Sequence, residues 1–191
     1  MHIERSWSLF GIAICIVAGL TAPFLTHPDY NWMRHTTGEL AGQQMPNAWI
    51  MRVGYVSLGF GVFFDALQRM AKTRRDYIPF MIFGILMIGA GAFHPRSIDS
   101  QEFFEAPFAY WHGFLFILAE IALVVGMVWR ITKSDVMSFR YISIALVSIY
   151  LASVPLIFFL PQYAGLIERV AFFTALGWLA CFLHTVSSKT I

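Results

Sequence analysis

Four histidines, His27, His35, His94 and His112, fall in or beside the links between long apolar runs. Asp29, Glu39, Asp99, Glu102, Glu105 and Glu168 keep them company. Imidazoles with a carboxylate form the mixed nitrogen and oxygen set that holds a catalytic zinc with one position open. Without a metal, the same pair serves as general base and orienting partner. His94 closes one run and His112 opens the next, so an antiparallel helix pair would bring both to one ion or one substrate. Glu39 or Asp29 would supply a third ligand, and zinc is the cofactor such a set would take. No HExxH spacing occurs, so the arrangement depends on the fold and not on a local motif. The plain alternative is that these side chains solvate loops.

The stretch Arg34–Gly42, RHTTGELAG, concentrates this chemistry. His35 and Glu39 are four apart and share a face if the segment is helical, although Gly38 suits a turn equally well. Glu39 and His35 are the catalytic candidates here, with His112 and Glu120 elsewhere. Thr36 and Thr37 are suited to N-cap positions. In the functional alternative their hydroxyls, with Arg34, Glu168 and Arg169, line a substrate pocket.

Two acids lie deeper. Glu120 sits mid-run, where a charge costs at least about 2.5 kcal/mol in a bilayer, so it is expected to be neutral, paired or facing a cavity. It lies on roughly the same side of its helix as His112, which makes a polar track conceivable. A structural hydrogen bond to Ser57, Ser148 or Ser153 is the alternative. Asp65 precedes Arg69 by one turn and reads as structural.

The elements that must position these groups are membrane spans. Of 191 residues 58% are hydrophobic and 13% charged, against roughly 25% charged in soluble domains. A bilayer core of about 30 Å needs about 20 apolar residues in helix. Six stretches meet or approach that, at about 7–25, 48–68, 77–93, 109–129, 141–160 and 165–184, the third being the shortest. The expectation is an all-α, six-span integral membrane bundle forming a single domain over 1–191. The first span resembles a signal peptide, but its length and Pro23 favour a retained helix.

Arg69, Lys72, Arg74 and Arg75 crowd the second link, and Arg130, Lys133 and Arg140 the fourth, with Arg5 and Lys189 near the termini. Positive charge marks the cytoplasmic side. Both termini are therefore expected there, His2 and His184 with them, and RHTTGELAG on the outer face. Close helix approach is expected at Cys15 and Gly19, Ser57 and Gly61, and Gly84, Gly89 and Gly91. Cys15 and Cys181 lie in apolar runs and form no CxxC motif; they read as small buried hydrophobes. A formal charge of +2 gives no footprint for nucleic acid.

The first polar link, HPDYNWMRHTTGELA, the stretch GAFHPRSIDSQEFFEAPFAYWHG and the sixth span's opening GLIERV are similar to short motifs of a prokaryotic membrane-protein family, domain of unknown function 998. The resemblance covers most of the chain and implies about six spans. It marks Tyr30, Thr36, Glu39, Leu40, His112 and Arg169. Gly38 stands where serine is frequent and His94 where proline is common. A more distant likeness to ceramidase and adiponectin-receptor hydrolases is one of architecture only.

These features suit a membrane-embedded hydrolase or lipid-binding protein acting on a lipid-type substrate, in a bacterial inner or plasma membrane. A non-enzymatic subunit of a larger membrane complex is the main alternative. A haem protein using His94 and His112, and proton-coupled transport through Glu120, rank lower.

Overall fold

A computed structural model describes residues 6–73, 75–98, 105–134 and 136–185, the side chains of Lys72, Thr73, Arg75, His184 and Thr185 excepted. Asp99, Glu102, His2, Arg5, Arg74 and Lys189 lie outside the described residues, as do the side chains of Lys72, Arg75 and His184. Every regular element among the described residues is helical. The helices are α1 (Trp7–Thr21), α2 (Thr37–Leu40), α3 (Trp49–Thr73), α4 (Ile78–Ala92), α5 (Ala106–Lys133), α6 (Met137–Phe159) and α7 (Ala164–Thr185).

Among the described residues, five segments are long and apolar enough to cross a membrane: Trp7–Phe24, Trp49–Ala71, Ala106–Lys133, Met137–Phe159 and Pro161–Leu183. The remaining expected span is shorter. The apolar α4 has 15 residues, about 22 Å of helix against a core of about 30 Å. Proline sets several boundaries: Pro23 turns the end of α1 into a 3-10 turn, and Pro79 and Pro107 sit in the first turns of α4 and α5. The missing amide costs nothing there, because first-turn donors have no intrahelical partner.

Packing follows chain order. α1 lies along α3, α3 along α4 and α4 along α5; α6 bridges α5 and α7, and α7 returns to touch α1 lightly. The tight α3–α4 seam needs glycine. A Cβ on Gly59 would lie 2.6 Å from the Gly84 carbonyl oxygen, and one on Gly84 2.7 Å from that of Gly59. Close backbone approach gives dispersion contacts where lipid leaves no hydrophobic force between helices. Tyr55, Leu58, Phe80, Phe83, Leu176 and Phe182 fill the interior.

α6 is the least buried of the five spanning segments. Its buried residues, Ser143, Val147, Tyr150 and Ser153, form one stripe that stops short of Pro155. Beyond that proline, Phe158 and Phe159 are each 80% exposed.

Candidate functional site

The links 22–48 and 93–98 and the start of α7 meet at one end of the bundle and are bonded together there. Gln43 is the knot: its amide nitrogen donates to the carbonyls of His94 and Glu105, each at 3.0 Å, and its amide oxygen accepts from the Glu105 amide at 2.7 Å. Two arginines hold backbone carbonyls here. Arg52 donates to the carbonyls of Ala41 and Gly42 at 2.9 and 3.0 Å. Arg169 donates from Nη1 to Trp32, His35 and Gly165 carbonyls at 2.6, 2.8 and 2.9 Å, and from Nη2 to the Tyr30 hydroxyl. Tyr30 in turn donates to the carbonyls of His35 and Thr36. Burial pushes its hydroxyl up to about 12, with Arg169 pulling the other way, so it stays a neutral donor. A planar fork suits this clustered set of carbonyls better than an ammonium would.

Within RHTTGELAG, Glu39 closes a capping box. Its carboxylate accepts from the Thr36 amide at 2.6 Å and the Thr36 hydroxyl at 3.1 Å, while Thr36 Oγ1 accepts from the Glu39 amide. Two donors of a four-residue helix are thereby satisfied. His35 does not meet Glu39. It precedes the helix, and its Nδ1 accepts from the Asn31 amide at 3.0 Å. Arg34 is exposed, and its carbonyl accepts from the Gly165 amide.

Thr37 behaves differently from Thr36. Its amide donates to Glu168 Oε2 at 3.1 Å and its hydroxyl to Oε1 at 2.5 Å, and that hydroxyl stands 2.8 Å from the Tyr55 hydroxyl. α2, α3 and α7 are tied through one threonine. Thr37 and Tyr55 are both 0% exposed, whereas Glu168 is half-buried. The Thr37 oxygen is thus a buried strap and not an open nucleophile.

His112 caps α4. Its Nδ1 donates to the carbonyls of Ala90 and Phe93 at 2.7 and 3.1 Å, at a helix end where carbonyls lack partners. Carbonyls only accept, so Nδ1 carries the hydrogen and Nε2 is left as the acceptor of the neutral ring. That Nε2 faces α2: a Cβ built on Gly38 would lie 3.6 Å from it. His94 stacks on Phe108 with ring centroids 5.8 Å apart, and burial and the charge of Arg52 lower its pKa. Asp29 is 85% exposed beside His27. Among the described residues no three His, Cys, Asp or Glu side chains gather as a metal-binding group. His94, His112, Glu39 and Asp29, expected to share one ion, are each engaged separately, because three of them serve loop and helix-end geometry.

Glu120 finds none of the expected serines. It lies within hydrogen-bonding reach of the Tyr150 hydroxyl on α6, and Ser153 donates to the Tyr150 carbonyl. Tyr55, Tyr150 and Gln43 escaped the sequence reading. A phenol inside an apolar span was the available signal, since a buried hydroxyl needs a partner. Nothing local marked Gln43.

Where α7 meets α1 thinly, a groove of about 820 Å³ opens. Gly19 and Leu20 form one wall and Val170, Phe173 and Thr174 the other, with Tyr30, Trp32 and Arg169 at the end nearest the loops.

No curated protein and no solved structure matches this chain. The model of the family described as protein of unknown function (DUF998) matches residues 9–185, and with nearly the whole chain covered, this protein belongs to that family.

Proposed function

We propose that this protein is a six-span, lipid-binding protein of the bacterial inner or plasma membrane, with both termini cytoplasmic and the Gln43–Arg169 cap outward. The observation that carries the lipid-binding reading is the groove between α1 and α7. It is apolar along two helices of spanning length and ends in Tyr30, Trp32 and Arg169. Apolar walls with a few convergent polar groups at one end are the common form of a small-molecule site. In a bilayer, the molecules that reach such a groove are lipids. Orientation rests on the cations of the 69–75 and 130–140 links, and α4 would span with help from the turn before it.

Native mass spectrometry of the full chain released from nanodiscs tests the reading. Wild type should retain lipid, and Thr174→Trp, which fills the groove, should lose it while melting normally. Equal retention by both would refute lipid binding in this groove.

A second reading, hydrolysis of a lipid-type substrate, has one observation in its favour. His112 Nε2 faces α2, which carries Thr37, the residue that binds the half-buried Glu168. Turnover of a lipid-ester panel that survives unchanged in His112→Ala and Glu168→Gln would eliminate it.

A further inference from the structure

We infer that the groove between α1 and α7 takes an anionic phospholipid, one acyl chain lying between Leu20 and Val170 and the phosphate at the Arg169 end. This rests on the lipid-binding reading and names its ligand class. All four bonds of Arg169 run to neutral acceptors, three carbonyls and a phenol. No carboxylate lies within ion-pair distance of it among the described residues. The nearby acids are engaged elsewhere. Glu168 is bound to Thr37, Glu39 to Thr36, and the exposed Asp29 lies beside His27. Arg34, exposed on the same loop, adds to the positive character of that end.

A guanidinium at the end of an apolar groove, with no described carboxylate in ion-pair contact, favours an anion by its charge. Glu168, its chain neighbour, shares that field, and most of the arginine's donors already hold the cap, so the attraction to phosphate is one of charge. Trp32, half-exposed, and Tyr30 supply the amphipathic rings typical of the headgroup level. A partner helix fits less well. Helix docking in lipid selects small residues, whereas this side carries Leu20 of α1 and Phe24 of the 3-10 turn after it, 55% and 87% exposed.

The test titrates full-length protein in mild detergent with short-chain phosphatidylglycerol or phosphatidylcholine, reading bound lipid by native mass spectrometry. Phosphatidylglycerol should bind about tenfold tighter at low salt, with the preference shrinking as salt screens the charge. Thr174→Trp should abolish binding of both lipids. Arg169→Gln should erase the preference; because Arg169 also holds the loop, the salt series in wild type serves as an independent measure. Equal affinity for the two lipids, both lost in Thr174→Trp, would overturn the anionic preference and leave lipid binding standing. No lipid on the wild-type protein, or a co-purifying polypeptide displaced by Thr174→Trp, would overturn both.

Discussion

Asp65, on α3, caps Ser8 at the start of α1 from a neighbouring helix. Its carboxylate accepts from the Trp7 and Ser8 amides at 3.0 Å each, from the Ser6 hydroxyl at 3.3 Å and from the Ser8 hydroxyl. α1 has no side-chain cap of its own, so these donors depend on α3. Anions favour helix N-termini, and this one is nearly fully buried, as is Ser8. Asp65→Ala, which orphans several buried donors, should lower stability by about 3 kcal/mol, and Asp65→Asn by about 2 kcal/mol. Unfolding in mixed micelles measures both; a loss under about 0.5 kcal/mol for Asp65→Ala would show that the cap is dispensable.

Thr37 gives a sharper contrast. Thr37→Val should cost about 2 kcal/mol, because it leaves the Tyr55 hydroxyl and one Glu168 oxygen without their shared partner. Thr37→Ser keeps the oxygen and should cost less than about 1 kcal/mol. In a double-mutant cycle Thr37→Val and Tyr55→Phe should fall short of additivity. Full additivity would mean that the two hydroxyls act independently.

What could be read from the chain divides along the same line. The apolar runs are legible because burial in lipid demands about 20 such residues without interruption, and the shortest run, 77–93, is the one whose apolar helix falls short of spanning length. Local pairs are legible too. Thr36-x-x-Glu39 is the capping-box spacing, so the capping role of Glu39 stood in the sequence beside the catalytic one. The strap of Thr37 to Glu168 joins residues 131 apart, and no periodicity encodes a partner at that distance. The same holds for Gln43, whose partners His94 and Glu105 are set by how two links fold over one helix end. Convergence of the polar links was expected. Many of their polar groups bond to one another there.

Glycine at 165 is set by the cap. A Cβ there would meet the His35 carbonyl carbon at 2.7 Å and the Trp32 oxygen at 2.7 Å, and would press directly on the His35 oxygen. These are backbone atoms that Arg169 also holds, so they have little room to shift. Gly165→Ala should lose about 2 kcal/mol despite the helix-propensity gain of about 1 kcal/mol. Gly113 and Gly177 meet nothing within 4 Å, and alanine at either should be neutral or gain up to about 1 kcal/mol. Thermal melts of the three variants side by side settle the contrast, and equal behaviour would mean that the loop gives way.

His94 should make stability depend on pH. Burial first, and then the charge of Arg52, lower its pKa in the folded protein, with Glu105 opposing. The unfolded chain, with His94 near its ordinary value of about 6.5, therefore binds more protons than the folded one below that pH. Its contribution is fully present above about 6.5 and is lost as pH falls toward the folded value, so stability should rise with pH through this window. One proton limits the slope to about 1.4 kcal/mol per pH unit. The chain holds other histidines, so the informative quantity is the difference between wild type and His94→Asn, measured from pH 5 to 7.5. The variant should show the shallower slope. A steeper one would mean that protonation of His94 favours the folded state, placing Glu105 ahead of burial and Arg52.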